Sequence, residues 1–93
     1  MTLLNKNEID SRLINLDGWQ YENNTISKEF VMKDFNDVIY LVNKIGRSAE
    51  AMNHHPDIFM HSWNKVKISI STHDKGGVTL KDFDLANKIQ ELQ

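Results

Sequence analysis

The chain has 93 residues, of which 40% are hydrophobic and 26% charged, and its formal net charge is -2. This length and composition predict one globular domain over residues 1–93 and exclude a disordered chain. The charge does not favour a nucleic-acid surface, which needs clustered Lys and Arg. The absence of cysteine excludes a disulfide framework and a Cys-based zinc site. No apolar run approaches the roughly 18–20 residues of a membrane span, and no signal peptide is recognisable, so we expect a cytoplasmic protein that binds neither membrane nor nucleic acid.

The first third of the chain predicts a helix followed by a hairpin. Apolar residues recur at i, i+4 and i+7 over residues 5–16, as they do on one face of a helix. Short β-type patterns follow at 19–21 and 25–32. The intervening Asn23-Asn24 pair can adopt the positive φ of a tight hairpin turn. We therefore expect an α-helix and two antiparallel strands.

The strongest helical signal lies over residues 34–52. Asp34 is the expected N-cap. Gly46 sits inside the helix at a cost of about 1 kcal/mol relative to Ala, which suggests that something packs closely there. Pro56 restricts the residue before it to extended conformations, so the helix should end near Asn53. The apolar stripe of this helix, with members three and four residues apart, is formed by Phe35, Val38, Val42, Ile45, Ala49 and Met52.

Two further strands and a helix complete the chain. We expect strands over 57–63 and 65–72, and a last helix opened by a capping box that starts at Thr79. The second of these strands alternates cleanly, so one of its faces is apolar while the other is polar and leads to His73. The resulting order, αββαββα, predicts an α+β fold: a four-stranded antiparallel sheet with three helices packed on one face. The other face is left to solvent or to a partner chain.

Three of the four histidines stand at the ends of predicted elements. His54 and His55 follow the long helix, and His73 follows the last strand. Rigid elements often present functional side chains at their ends, and imidazole can donate or accept a proton near neutral pH. Glu50 lies one helical turn before His54. Asp82, in the first turn of the last helix, can orient an imidazole or hold a ligand N–H. These residues are the candidates for one small-molecule site.

The same residues allow other interpretations. An adjacent His-His pair in a loop can be merely solvated, and Asp82 can serve only its capping box. The three histidines together with Asp82 could supply zinc ligands, although their spacing fits no standard metal motif. Ser71 and His73 share a strand face, but the glycine-serine-glycine elbow of a Ser-His-Asp hydrolase is missing. The fourth histidine, His61, is assigned no role.

Several short segments occur together in a recognisable order. They are Glu50-x-x-x-His54-His55-Pro56, the aromatic Trp63, Asn64-Lys65-Val66, Ser71-Thr72-His73 and Asp82-x-x-Leu85-Ala86. With these segments, the sequence from about Trp19 to the C-terminus resembles the pterin-4a-carbinolamine dehydratase family. The aromatic position is often tyrosine in that family, and Trp63 keeps the ring without the hydroxyl.

The resemblance implies an α+β fold, a homodimer or homotetramer, and an enzyme that needs neither a cofactor nor a metal. The implied reaction is dehydration of 4a-hydroxytetrahydropterin to quinonoid dihydropterin, which recycles tetrahydrobiopterin for the aromatic amino-acid hydroxylases. The site residues carried over by position are the catalytic His54, His55 and His73 and the substrate-binding Glu50, Pro56, Trp63 and Asp82. On this basis His54 and His73 are expected to act as general acids from two sides of the pterin ring. His55 is expected to bind the substrate and its hydroxyl and can also serve as a base.

The resemblance also leaves a second class of function open. Members of the family act as dimerisation partners of transcription factors or as assembly factors, so the chain can alternatively be a protein-binding module. Such a module would use an exposed apolar helix face and has no need of three histidines.

Overall fold

The computed structural model describes residues 2–93. In that range it contains three α-helices, four strands and one turn of 3-10 helix, in the predicted order αββαββα. The elements are α1 (Lys6–Leu13), β1 (Gln20–Glu22), β2 (Thr25–Val31), α2 (Phe35–Met52), β3 (Asp57–His61), β4 (Lys65–Ile70), the 3-10 turn (His73–Lys75) and α3 (Leu80–Glu91). None of the helices in residues 2–93 has the length and apolar character needed to span a bilayer.

The four strands form one antiparallel sheet in the order β1-β2-β4-β3, so β2 and β4 are central. Along β4, the apolar residues Val66, Ile68 and Ile70 are fully buried, while the residues between them are half-buried. This alternation is that of a strand with one face against a core and one face toward solvent. The α+β fold with the helices on one face is therefore confirmed.

Both ends of α2 follow the prediction. At its start, the side chain of Asp34 accepts a hydrogen bond from the N–H of Asp37 at 2.8 Å. At its end, Asn53 adopts a left-handed backbone conformation with φ 51° and ψ 43°, a conformation that Asn tolerates better than most residues. The chain turns sharply there, and His54 leaves the helix in a new direction.

Two expectations about the surface of α2 are wrong. Phe35 was assigned to the buried stripe but is 52% exposed, whereas Val38, one turn later, is fully buried. Phe35 is the first residue of the helix, and the stripe meets the core only from Val38 onward. Apart from its own turn of the helix, a Cβ atom at Gly46 would have no heavy atom within 4 Å, so no other element in residues 2–93 packs closely against that glycine.

Both strands of the β3–β4 hairpin are shorter than predicted. β3 ends at His61, because Ser62 and Trp63 adopt left-handed backbone conformations with φ of 53° and 56°. These angles end the extended conformation and turn the chain into β4. β4 also stops before its predicted limit, and Thr72 forms only an isolated bridge with Gly77.

The hairpin determines where the candidate residues lie. Because its strands are antiparallel and Asp57 pairs with Ser69, the start of β3 and the end of β4 meet at one end of the sheet. His54 and His55 precede β3, and His73 follows β4. The fold therefore brings the three predicted histidines to the same end of the sheet.

Candidate active site

A cavity of about 330 Å³ opens at this end of the sheet, a volume within the range of small-molecule sites. The end of α2, the end of β4 with its 3-10 turn, and the first turn of α3 form its walls. His54, His55 and His73 all line it, together with Ser71 and Thr72. The three predicted histidines thus share one cavity.

The most enclosed contact at this cavity joins His54 to Asp82. The side chain of His54 is only 10% exposed, and its Nε2 atom lies 2.6 Å from Oδ1 of Asp82, whose side chain has no exposed surface. The other carboxylate oxygen accepts hydrogen bonds from the Thr72 hydroxyl at 2.9 Å and from the Thr79 backbone N–H at 2.8 Å. A buried carboxylate is costly unless hydrogen bonds compensate for lost hydration. Three donors do so here.

Asp82 therefore has two structural roles at once. It is the third residue of the α3 capping box, reciprocal to Thr79, as the sequence predicted. It also accepts a hydrogen bond from His54, which the capping interpretation alone does not require. The carboxylate lies behind the imidazole and not on the cavity surface.

This contact assigns the two nitrogens of His54 to different tasks. An ionised carboxylate can only accept, so Nε2 of His54 carries the hydrogen that it donates to Asp82. The Nδ1 atom has no hydrogen-bond partner in residues 2–93. Every fully enclosed side-chain nitrogen or oxygen in that range does have a partner, so Nδ1 is not fully enclosed. Nδ1 therefore keeps some exposed surface. It can accept a proton when the ring is neutral and donate one when the ring is charged.

His55 is held by a second carboxylate, in a more open setting. Its Nε2 atom lies 2.7 Å from Oε1 of Glu50, and the two side chains are 57% and 81% exposed. An ion pair this exposed adds little stability. Its effect is to orient the His55 ring beside the cavity.

His73 begins the 3-10 turn that follows β4. The turn closes at Gly76, which has a φ of 72° and donates its N–H toward the carbonyls of Thr72 and His73. A second cavity, of about 250 Å³, is lined by Ser71 and His73 as well as by the β1–β2 turn. His73 thus borders both cavities.

The remaining predicted residues lie outside the cavity surface. Glu50 and Asp82 contact the imidazoles that line it, and Pro56 leads the chain into β3. Trp63 is 64% exposed and lies in the turn at the other end of the β3–β4 hairpin, about 14 Å away along β3. Within this chain, Trp63 is not brought to the cavity.

His61, which had no predicted role, takes part in a separate contact near the far end of the hairpin. It bonds through Nε2 to Oε2 of Glu29 and stacks on Phe59 with a centroid distance of 5.0 Å. The hydrogen bond from His61 holds the pKa of Glu29 below its ordinary value of 4.5. This cluster lies on the open face of the sheet.

The zinc interpretation required several ligands to converge. Within residues 2–93, no group of three or more His, Cys, Asp or Glu side chains is arranged to hold a metal ion. The predicted residues instead form separate imidazole–carboxylate pairs. His54 pairs with Asp82, and His55 pairs with Glu50.

Some residues of the cavity were not anticipated. Asp74, Lys75 and Lys81 line it, but exposed charges near a loop are too common in sequences to single out. Thr72 was part of a recognised motif, yet its bond to Asp82 could not be inferred, because the two lie 10 residues apart on different elements.

Comparison with known families identifies the family of this chain. The family model described as "Pterin 4 alpha carbinolamine dehydratase" matches residues 2–92. The chain belongs to this family. A relative from Sulfolobus acidocaldarius, named "Putative pterin-4-alpha-carbinolamine dehydratase", is 47% identical over 90 residues, which cover 97% of this chain and 98% of the relative. A relative of the same name from Roseiflexus castenholzii is 49% identical over 90 residues, covering 97% and 96%.

Solved structures extend the comparison. The crystal structure of a transcriptional coactivator/pterin dehydratase from Brucella melitensis superposes with a TM-score of 0.92 at 31% identity over 98% of each chain. A pterin dehydratase-like protein identified as a RuBisCO assembly factor in the alpha-carboxysome has a TM-score of 0.64 at 15% identity, covering 80% of this chain and 84% of its own. The second match shows a shared fold only. The family membership predicted from the motifs is confirmed.

Proposed function

We propose that this member of the pterin-4a-carbinolamine dehydratase family removes water from 4a-hydroxytetrahydropterin and produces quinonoid dihydropterin. The observation that carries the proposal is the convergence of three imidazoles on one cavity, one of them held by a buried carboxylate. The family match over residues 2–92 supplies the pterin substrate class. Recycling of tetrahydrobiopterin for an aromatic amino-acid hydroxylase is the accompanying cellular role, in the cytoplasm.

The reaction needs only proton transfers. The hydroxyl on C4a takes up a proton and leaves as water when the C–O bond breaks. The neighbouring ring nitrogen gives up its proton, and a C=N double bond forms between the two atoms. No hydride moves, so imidazoles that titrate near neutral pH are suited to both transfers.

The proposed roles follow from how each imidazole is held. His54 uses Nδ1 on the substrate, because Asp82 occupies its Nε2 atom and stabilises the charged ring. His73 acts as the second general acid from the other side of the pterin. His55 binds the substrate and its hydroxyl and, as a base, accepts the proton that the ring nitrogen gives up. Glu50 keeps the His55 ring in place. Asp82 and Glu50 are thus positioning residues.

The proposal is tested by the rate of carbinolamine decay. 4a-Hydroxytetrahydropterin is generated in situ, and its absorbance is followed with and without the purified protein, and with and without a chelator. We expect acceleration that survives chelation. A well-folded protein that leaves the spontaneous rate unchanged would contradict the proposal.

Exposed apolar side chains favour a second role, in binding a protein partner. On α2, Phe35 is 52% exposed, Ile39 38% and Tyr40 66%. A small domain gains stability when such a surface is covered. We propose that this face joins copies of the chain into a homodimer or homotetramer, or receives a partner of the coactivator or assembly-factor type.

Sedimentation velocity over a range of protein concentrations tests this second role. We expect a dimer or tetramer that dissociates when Ile39 is replaced by Glu. A wild-type protein that remains monomeric at all concentrations would exclude self-association. The same helix would then be tested against candidate partners.

A further inference from the structure

Two lysines of the cavity have no ionic partner in the described chain. Lys75 lies at the end of the 3-10 turn and Lys81 in the first turn of α3, and both line the cavity with the three histidines. The ion pairs within residues 2–93 involve other residues, and neither ammonium group donates a hydrogen bond in that range. Both charges are therefore free to bind a ligand.

The carboxylates near the cavity do not neutralise these lysines. Asp82 is buried and bonded to His54, and Glu50 is bonded to His55. Asp74 is the one carboxylate on the lining itself. The lining thus carries two formal positive charges against one negative charge, in a protein whose net charge is -2.

The position of Lys81 in its helix independently favours an anionic ligand in the cavity. A helix has a partial positive charge at its N-terminus, so a cation in the first turn is unfavourable there. Lys81 is nevertheless the second residue of the 12-residue helix α3. Helix stability does not explain this residue, whereas an anionic ligand in the cavity would.

The site also has more room than the first cavity alone. The adjoining cavity of about 250 Å³ shares Ser71 and His73 with the one of about 330 Å³. The two cavities together leave space for a substituent attached to a bicyclic ring. A substituent that leaves the ring near His73 passes Lys75, two residues further along the same turn.

We propose that the pterin bound at this site carries an anionic group on its side chain, a phosphate or a carboxylate, that contacts Lys75 and Lys81. The inference rests on the proposed function, since it names a feature of the same substrate. The anionic group contributes to binding and takes no part in the loss of water. The lysines therefore determine which pterin is preferred.

Calorimetric titration with three pterins tests the inference at low ionic strength. Neopterin has a neutral side chain, neopterin monophosphate carries a phosphate, and folic acid carries two carboxylates. We expect at least one anionic pterin to bind about tenfold more tightly than neopterin, as two partly exposed charge pairs allow. Added salt should reduce this preference, because the charges are screened. A gain for the phosphate alone or for folic acid alone identifies the anion, and either one supports the inference.

The variants assign the effect to the two lysines. Lys75→Gln combined with Lys81→Gln should remove the preference for the anionic pterin, and the titration with neopterin reports whether the site is still formed. Lys88→Gln is the matched control, because it removes the same charge from the same helix about 10 Å further along. It should keep the full preference.

Each contrary outcome has a distinct meaning. If neopterin binds and neither anionic pterin binds more tightly, this inference is wrong and the dehydratase proposal stands. A preference that survives the double substitution likewise overturns the assignment to Lys75 and Lys81. If no pterin binds to the folded protein, the proposed function itself fails and the inference fails with it.

Discussion

Replacing Asp82 by Asn separates its part in folding from its part in catalysis. The carboxylate accepts three hydrogen bonds, from His54 at 2.6 Å, Thr72 at 2.9 Å and Thr79 at 2.8 Å. The amide oxygen of Asn can keep the two threonine bonds. Its NH₂ group then faces Nε2 of His54 and donates to it, so the hydrogen of the neutral imidazole moves to Nδ1. The shape of the site is retained while the protonation of His54 is changed.

The expected effects on stability and rate differ in size. The three contacts remain but lose their charge assistance, so the free energy of unfolding should fall by only about 1–3 kcal/mol. Asp82→Ala would leave three buried donors without a partner and should cost about 3–5 kcal/mol. Asp82→Asn removes the charge that stabilises the imidazolium of His54 in its proposed role as an acid. The rate of carbinolamine decay should fall roughly 100-fold, as for loss of a general acid or base.

The measurement combines urea unfolding with kcat/KM for carbinolamine decay, after subtraction of the spontaneous rate. Asp84→Asn is the matched control, since Asp84 is exposed on the same helix and should leave both quantities unchanged. A folded Asp82→Asn protein with kcat/KM within twofold of wild type would show that Asp82 is a capping residue alone and does not assist His54.

Three further predictions follow from positions outside the cavity. Trp63→Gly should raise the free energy of unfolding in urea by about 1 kcal/mol, because Trp63 has a φ of 56° that Gly adopts without strain. A fall in kcat/KM for the same variant would indicate that Trp63 contacts the substrate. Gly46→Ala should also raise the free energy of unfolding by about 1 kcal/mol, since a Cβ there meets no heavy atom within 4 Å outside its own turn of the helix. A lower free energy of unfolding would mean that a second chain packs on this glycine. The lowered pKa of Glu29 means that its ionised form stabilises the fold above the ordinary value of 4.5, and this contribution is lost as the pH falls through the lowered pKa. The gap in Tm between wild type and Glu29→Gln should therefore close on acidification, and a gap that is constant with pH would contradict the role of the His61–Glu29 bond.

Much of the fold could be read from local patterns. The stripe of α2, the capping residues Asp34 and Thr79, and the Asn23-Asn24 turn each act over a few residues, and the structure contains all of them. The wrong predictions concern the ends of strands and helix positions that pack against no other element in residues 2–93. Phe35 has the spacing of a core residue but lies beyond the core, and spacing alone does not reveal what a face packs against.

The three histidines of the cavity could be predicted from the sequence, but their contacts could not. His54, His55 and His73 are signalled by their places at element ends, and the hairpin register then brings them together. Asp82 is buried behind His54, whereas Glu50 is exposed beside His55. This difference between the two carboxylates depends on tertiary packing. Sequence spacing carries no information about such burial.

The proposed function is tested most directly by the rate of carbinolamine decay with His54 and His73 both replaced by Ala. We expect the wild-type protein to accelerate the decay and the folded double variant to leave it at the spontaneous rate. The circular dichroism spectrum of the variant serves as the control for folding. A double variant with undiminished turnover would contradict the proposed roles of His54 and His73, because the reaction would then take place without their imidazoles.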